Sequence, residues 1–126
     1  MERSPLDGCS ILVVEDEPLI AMDIELAFTR CGADVAVASS VKDASQILDD
    51  AFSLGVLDHG LPDGKGTELY TLFHEAGVPF IIYTGHEVPE GVRHGGVVVS
   101  KPADLDTLRD VAEALVTAHQ HRSNRS

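Results

Sequence analysis

A chain of 126 residues with a net charge of −12 fits one domain and argues against the partners that Lys and Arg hold, a nucleic-acid backbone or an anionic membrane surface. Hydrophobic content of 44% and charged content of 24% are ordinary for a globular protein, and at this length roughly two-thirds of the unfolded surface is buried, enough for a core. No apolar run approaches the ~20 residues of a spanning helix and the opening MERSPLDG has no apolar signal segment, so the cytoplasm is the expected compartment.

In chain order, strands alternate with helices. SILVV (Ser10–Val14) is a continuous β-branched run, as expected of a strand covered on both faces. Pro18 starts a helix, where its missing N–H does no harm, and Gly32 stops it. Between them Ile20, Ile24, Ala27 and Cys31 recur at helical spacing. Cys9 and Cys31 are too few for a disulfide framework and read as buried thiols in a reducing compartment. DVAVA (Asp34–Ala38) is the second strand. Ser39 or Ser40 caps a helix bearing Ala44, Ile47, Leu48 and Ala51. SLGVLD (Ser53–Asp58) is the third strand, and HGLPDGKG after it is a loop by its Gly and Pro content. A helix carrying Leu69, Leu72, Phe73 and Ala76 ends at Gly77. PFIIYT (Pro79–Thr84) is strand four and GVVVS (Gly96–Ser100) strand five. The last helix begins near Ala103 and carries Leu105, Leu108, Ala112 and Leu115, and HRSNRS reads as a frayed polar tail. One domain spans 1–126, with its core at about 10–119 and polar tails at 1–9 and 120–126.

Five strands alternating with helices predict an α/β fold, a parallel sheet with helices on both faces. Such sheets carry their sites at the carboxyl ends of the strands. There lie Glu15 and Asp16 after strand one, Asp58 at the end of strand three, Thr84 at the end of strand four and Lys101 after strand five. The acidic run Glu15, Asp16, Glu17 needs an offsetting charge, since two like charges at about 4 Å repel by roughly 1 kcal/mol in water and about 4 kcal/mol near a protein surface. Carboxylates around one mouth make a hard, oxygen-rich cation site that suits Mg2+. Glu17 itself reads as helix-start charge favoured by the macrodipole. Lys101 supplies a point charge for phosphoryl oxygens and Thr84 a short hydroxyl donor. Asp58, held by a buried strand yet followed by a loop, is the candidate nucleophile, because a carboxylate can accept a phosphoryl group.

ILVVEDEP, GVLDHGLPDGKG, YTG and SKP, in this order, resemble the receiver domain of two-component response regulators over about Ser10 to His119. The resemblance implies a three-layer flavodoxin-like fold with sheet order 2-1-3-4-5. It implies that Asp58 accepts phosphate from a sensor histidine kinase or a histidine phosphotransfer protein, as a signalling phosphoacceptor and not an enzyme in the ordinary sense. Mg2+, with Mn2+ as a substitute, is implied at Asp16, Asp58 and the His59 carbonyl, with Glu15 acting through water where the family more often has Asp. Thr84 and Lys101 are implied to contact the phosphoryl group, and the Lys101–Pro102 bond to be cis. His59, next to the acceptor, reads as an exposed loop residue, with tuning of access or hydrolysis as the alternative.

Two departures matter. Most receivers carry a Tyr or Phe switch in strand five where this chain has Val98. Only Gly85 to Gly95 separate strands four and five, whereas a crossover with its helix needs at least about 10–12 residues. The fourth helix is therefore expected to be very short or missing, and Pro89 and the neighbouring glycines disfavour it. Both departures, with PFIIYTG, resemble the single-domain FAT GUY subgroup of receivers, which implies a kinase of the HWE or a related type. A stand-alone chain of this kind would signal by protein–protein contact, relay phosphate or drain it from a shared kinase.

Other readings fare worse. A dehalogenase-type phosphatase needs a second Asp where this chain has Gly60, and a flavodoxin-like nucleotide binder needs a neutral phosphate loop where this chain has EDEP. A pseudo-receiver that binds partners without phosphate would not need the acidic pocket to hold an ion. The six histidines, His59, His74, His86, His94, His119 and His121, are scattered, and none has the spacing of a transition-metal site. Arg93 and His94 read as solvated residues of the shortened crossover.

Overall fold

The computed structural model describes residues 3–61 and 63–123. Five parallel strands form one sheet: β1 (Ser10–Val14), β2 (Asp34–Ala38), β3 (Leu54–Leu57), β6 (Phe80–Thr84) and β7 (Val97–Ser100), in the order β2-β1-β3-β6-β7. This is the expected 2-1-3-4-5 order once β4 (Gly60–Leu61) and β5 (Gly64–Lys65) are set aside. Those two pair antiparallel in a small separate ribbon where only a loop was expected.

The alternation of side chains along the strands builds two cores. On one face Ile11, Val13, Leu54, Val56 and Ile81 pack with Ile24 and Phe28 of α1 (Pro18–Thr29) and with Leu108, Ala112 and Val116 of α4 (Leu105–Ser123). On the other, Leu12, Val14, Leu57, Phe80 and Ile82 meet Val41 and Ala44 of α2 (Val41–Ile47) and Leu69, Tyr70 and Phe73 of α3 (Thr67–Ala76). Gly55 is the exception in β3: a Cβ there would enter the Phe73 ring, so only glycine lets that ring lie on the sheet. Among the described residues no helix is long and apolar enough to cross a membrane.

Several boundaries depart from expectation. The buried stripe of α1 is Ala21, Ile24 and Phe28, with Ile20 and Cys31 only partly buried. Ile20 and Cys31 pack against the same core as Phe28, so the expected side of the helix faces inward and Phe28 is added to it. The second helix stops at Ile47 and does not reach Ala51: Leu48 is already extended, and Asp49 turns the chain by accepting from the Ala51 N–H at 3.0 Å. Ser40, not Ser39, caps α2, accepting from the Asp43 N–H. α4 continues through residues 121–123 of the expected tail, and 124–126 lie outside the described residues. At the other end the expected polar tail contributes to the core, with Leu6 fully buried and Cys9 beside it.

The link between β6 and β7 holds no α-helix, only a short 3-10 turn at Glu90–Val92. Val88 is buried, and the half-buried Arg93 donates from Nε to the Val88 carbonyl at 2.9 Å. Arg93 therefore braces the crossover from inside.

Asp63, at the tip of the ribbon, accepts from the N–H groups of Val41 at 2.8 Å and Lys42 at 3.0 Å, fastening the ribbon to the start of α2. These backbone donors hold its carboxyl below the usual carboxylate range. A depressed folded-state value contributes stability above the unfolded value that is lost as pH falls through the folded one. Asp63→Ala is expected to lower the thermal midpoint at pH 7, and the difference from the parent to shrink in melts as pH falls below the ordinary carboxylate range. Gly55→Ala is expected to cost about 1–3 kcal/mol by overpacking against Phe73, read from the urea midpoint.

Candidate acidic site at the carboxyl edge of the sheet

The sheet register brings the ends of β1, β3, β6 and β7 to one edge, with Val14 opposite Leu57 and Thr84 opposite Ser100. The next residues stay on the ladder through their backbones. Glu15 N–H donates to the Ala38 carbonyl at 3.0 Å, Asp58 N–H to Val14 at 2.9 Å and Lys101 N–H to Thr84 at 2.9 Å. Side chains just past the strand ends are thus held by the sheet as firmly as those within it.

Glu15, Asp16 and Asp58 converge, each offering a carboxylate oxygen within 4.8 Å of the others. Glu15 is buried at 4% exposure, Asp58 is half-buried and Asp16 is exposed. Lys101 Nζ donates to Glu15 Oε1 at 2.9 Å and lies 3.7 Å from Asp58 Oδ2, so one ammonium serves two carboxylates. It also sits 5.3 Å from the centre of the Tyr83 ring. The second Glu15 oxygen, Oε2, is buried with no hydrogen-bond partner.

Burial first, and then the neighbouring Asp58, push the Glu15 carboxyl up from its ordinary 4.5 to about 7, against the pull of Lys101. Burial works against the Lys101 ammonium, but its bond to Glu15 and the charge of Asp58 outweigh that and leave it above its ordinary value. One lysine does not neutralise the cup. An unpartnered buried oxygen beside two further carboxylates is the donor set of a hard divalent cation, and these residues fit Mg2+.

Thr84 is buried and its hydroxyl accepts from the His86 N–H at 3.1 Å. The His59 carbonyl accepts from Gly66 N–H at 2.9 Å, which leaves its second lone pair for another partner. The Lys101–Pro102 peptide is cis. Val98 is half-buried and lines a cavity of roughly 700 Å3 with Gly85, His86, Val88, Pro89 and Arg93, beside the acidic cup.

Three neighbours of the cup escape the sequence reading. Tyr70 is fully buried one place off the expected apolar stripe, stacks on Phe80 at 5.7 Å and joins its hydroxyl to His59 Nδ1 at 2.8 Å. Gly66 has no room for a Cβ, which would fall 2.8 Å from the Asp58 carbonyl and 3.0 Å from the Tyr70 hydroxyl. The glycine-rich run DGKG carried that signal, since glycine marks close backbone approach. His86 Nε2 comes 3.9 Å from where a Gly60 Cβ would stand, with Gly60 N–H reaching back to Asp58 Oδ1 at 3.4 Å. No sequence pattern marks His86 as a neighbour of Asp58.

The family model described as "Response regulator receiver domain" matches residues 11–113, and the chain belongs to that family. It is therefore the receiver domain of a two-component response regulator, a signalling phosphoacceptor class. Over 113 residues it is 33% identical to the response regulator protein PilR of Pseudomonas aeruginosa, covering 82% of this chain and 25% of the relative. Over 123 residues it is 30% identical to the transcriptional regulatory protein PmrA of Pectobacterium parmentieri, covering 90% of this chain and 55% of that one. The chain thus spans about a quarter and about half of these two relatives. The crystal structure of a CheY-like receiver domain protein from Methanospirillum hungatei superposes with a TM-score of 0.85 at 22% identity, covering 92% of this chain and 99% of the other. That likeness is one of fold.

A carboxyl raised in the folded state keeps a proton that the unfolded chain has lost. Stability of the metal-free protein therefore falls as pH rises from about 4.5 to about 7. The loss is on the order of 3 kcal/mol. Urea unfolding in EDTA is expected to show this fall, and the stabilisation gained on adding Mg2+ is expected to grow from pH 5 to pH 8. A stability gain from Mg2+ that is independent of pH would contradict the placement of Glu15.

Proposed function

We propose that Asp58 is the phosphoacceptor and that the chain passes its signal by protein–protein contact. The observation that carries this is the gathering of Glu15, Asp16 and Asp58 within 4.8 Å beside Lys101. An Asp58 carboxylate oxygen attacks the phosphorus of a phosphohistidine. The P–N bond breaks, and the departing imidazole keeps the electron pair and takes up a proton. Asp16, Asp58 and the His59 carbonyl would hold Mg2+, or Mn2+ in its place, with Glu15 through water. The bound ion would neutralise phosphoryl oxygens, where positioning and charge stabilisation do most of the work.

Lys101, already 3.7 Å from Asp58, moves its ammonium from Glu15 toward the new anion. Thr84 exchanges the His86 N–H for a phosphoryl oxygen, donating its own hydroxyl proton. Since His86 begins the crossover, that exchange releases one of the bonds holding residues 85–96. Val98 has no aromatic ring to swing, so the crossover reports the modification.

The donor is a sensor histidine kinase or a histidine phosphotransfer protein. Val98, the helix-free crossover and PFIIYTG support assignment to the FAT GUY subgroup and a kinase of the HWE or a related type. We further assign residues 1–126 to one receiver domain.

Incubation with acetyl phosphate is expected to label the chain in Mg2+ and not in EDTA, with labelling lost in Asp58→Asn. Labelling that persists in Asp58→Asn rejects the acceptor. No labelling by acetyl phosphate or any phosphorylated kinase, together with no Mg2+ binding on titration, points to a pseudo-receiver. Beryllofluoride is expected to shift the amide signals of residues 85–96; signals that stay still there overturn the crossover as reporter.

A further inference from the structure

Away from the acidic cup, three histidines meet at one cavity of about 330 Å3. His74 comes from α3, His94 from the crossover and His119 from α4, with Gly77, Pro79 and Leu115 among the other lining residues. Their separation along the chain hid this, because spacing motifs capture only ligands brought together within one short element. The rings of His74 and His94 stand 5.9 Å apart, centre to centre, at an interplanar angle of 46°. With metal–nitrogen bonds of about 2.0–2.1 Å, two imidazoles on one tetrahedral ion have ring centres about 5 Å apart. The observed separation is somewhat wider, so small side-chain rotations of the exposed His74 and His94 must close the pair on the ion.

A second observation concerns the proton on His94. The Thr71 hydroxyl donates to the Thr67 carbonyl at 3.4 Å and also lies 3.4 Å from His94 Nε2. In the tautomer in which the Thr71 oxygen accepts from Nε2–H of neutral His94, the Nδ1 lone pair is free for a metal. A metal-ligating imidazole commonly has its other nitrogen donating to an oxygen in this way. His94 itself sits in the left-handed region at φ 49°, followed by Gly95 at φ 86°, in the turn closed by the Gly96 N–H on the Arg93 carbonyl at 2.9 Å.

We propose that His74 and His94 chelate one borderline transition-metal ion, Zn2+, Ni2+ or Cu2+, with His119 as third donor across the cavity and water completing the shell. Among the described residues only the carboxylate cup has three donors already within mutual reach, so His119 must turn on its side-chain torsions to join. The two sites sort ions by chemistry: imidazole nitrogens suit zinc, nickel and copper, carboxylates suit magnesium. Bound there, the ion ties the crossover to α3 and so restrains residues 85–96. The site itself does not depend on phosphorylation.

The test is calorimetric titration of the tag-free full chain with Zn2+ in excess Mg2+. One ion per chain is expected, with affinity lowered at least tenfold in His74→Ala and in His94→Asn and unchanged in Asp16→Asn. Both histidines are exposed, and Asn tolerates the left-handed backbone at 94, so these variants are expected to fold. Dilute Cu2+ should broaden the amide signals around residues 74 and 94 before those around 16 and 58. The site is overturned by the absence of saturable Zn2+ binding, by parental affinity in His94→Asn, or by copper broadening confined to the acidic cup. Unchanged affinity in His119→Ala overturns the third-donor assignment.

Discussion

The structure turns on an uneven contest of charge: one ammonium, Lys101, set between the buried Glu15 and the half-buried Asp58, with Asp16 at the rim. Taking carboxylates out of water is costly, and a single cation does not offset it. The sheet tolerates the arrangement because its ladder continues through the backbones of Glu15, Asp58 and Lys101. What remains is a folded protein that holds three carboxylates against one ammonium at the carboxyl edge of its sheet. That is a setting in which added positive charge is strongly favoured.

The same edge is connected to the rest of the molecule by short polar links. Thr84 reaches the crossover through His86, and the His59 carbonyl reaches the ribbon through Gly66. Asp63 then carries the ribbon to the first turn of α2. The crossover has little regular structure of its own, being held by Val88, by Arg93 and by contacts at its two ends. Its buried Val88 belongs to the core with Leu57 and Ile82, so movement of the segment is felt on that face of the sheet.

Much of this was legible in the sequence because it follows from strong local signals. β-branched runs such as SILVV and FIIYT mark buried parallel strands, and the topology of such sheets sends their ends to one edge. Glu15, Asp58, Thr84 and Lys101 could therefore be gathered from four distant stretches before any coordinates. What escaped depends on side-chain volume or long-range pairing. Phe28 joins the expected inward side of α1, a contribution the helical spacing of Ile20 and Ile24 did not single out. Asp49 ends α2 early by a local turn where an apolar periodicity continues on paper. Leu6 lies in a stretch that reads as polar, yet it fills the end of the core between the sheet and the outer helices. The β4–β5 ribbon is too short to leave a strand pattern, and it is held in part by Asp63, whose partners lie more than twenty residues back.

The rings of Phe73, Phe80, Tyr70 and His59 form a continuous column from the face of the sheet to the residue next to Asp58. Gly55 sets the seat of its first ring and Gly66 clears room beside the Tyr70 hydroxyl. Interior fit and the geometry of the acidic cup are therefore mechanically linked. A change in the volume of an aromatic far from solvent would be transmitted, ring by ring, to the pose of the loop after Asp58. Positions that never touch the cup can in this way set its shape.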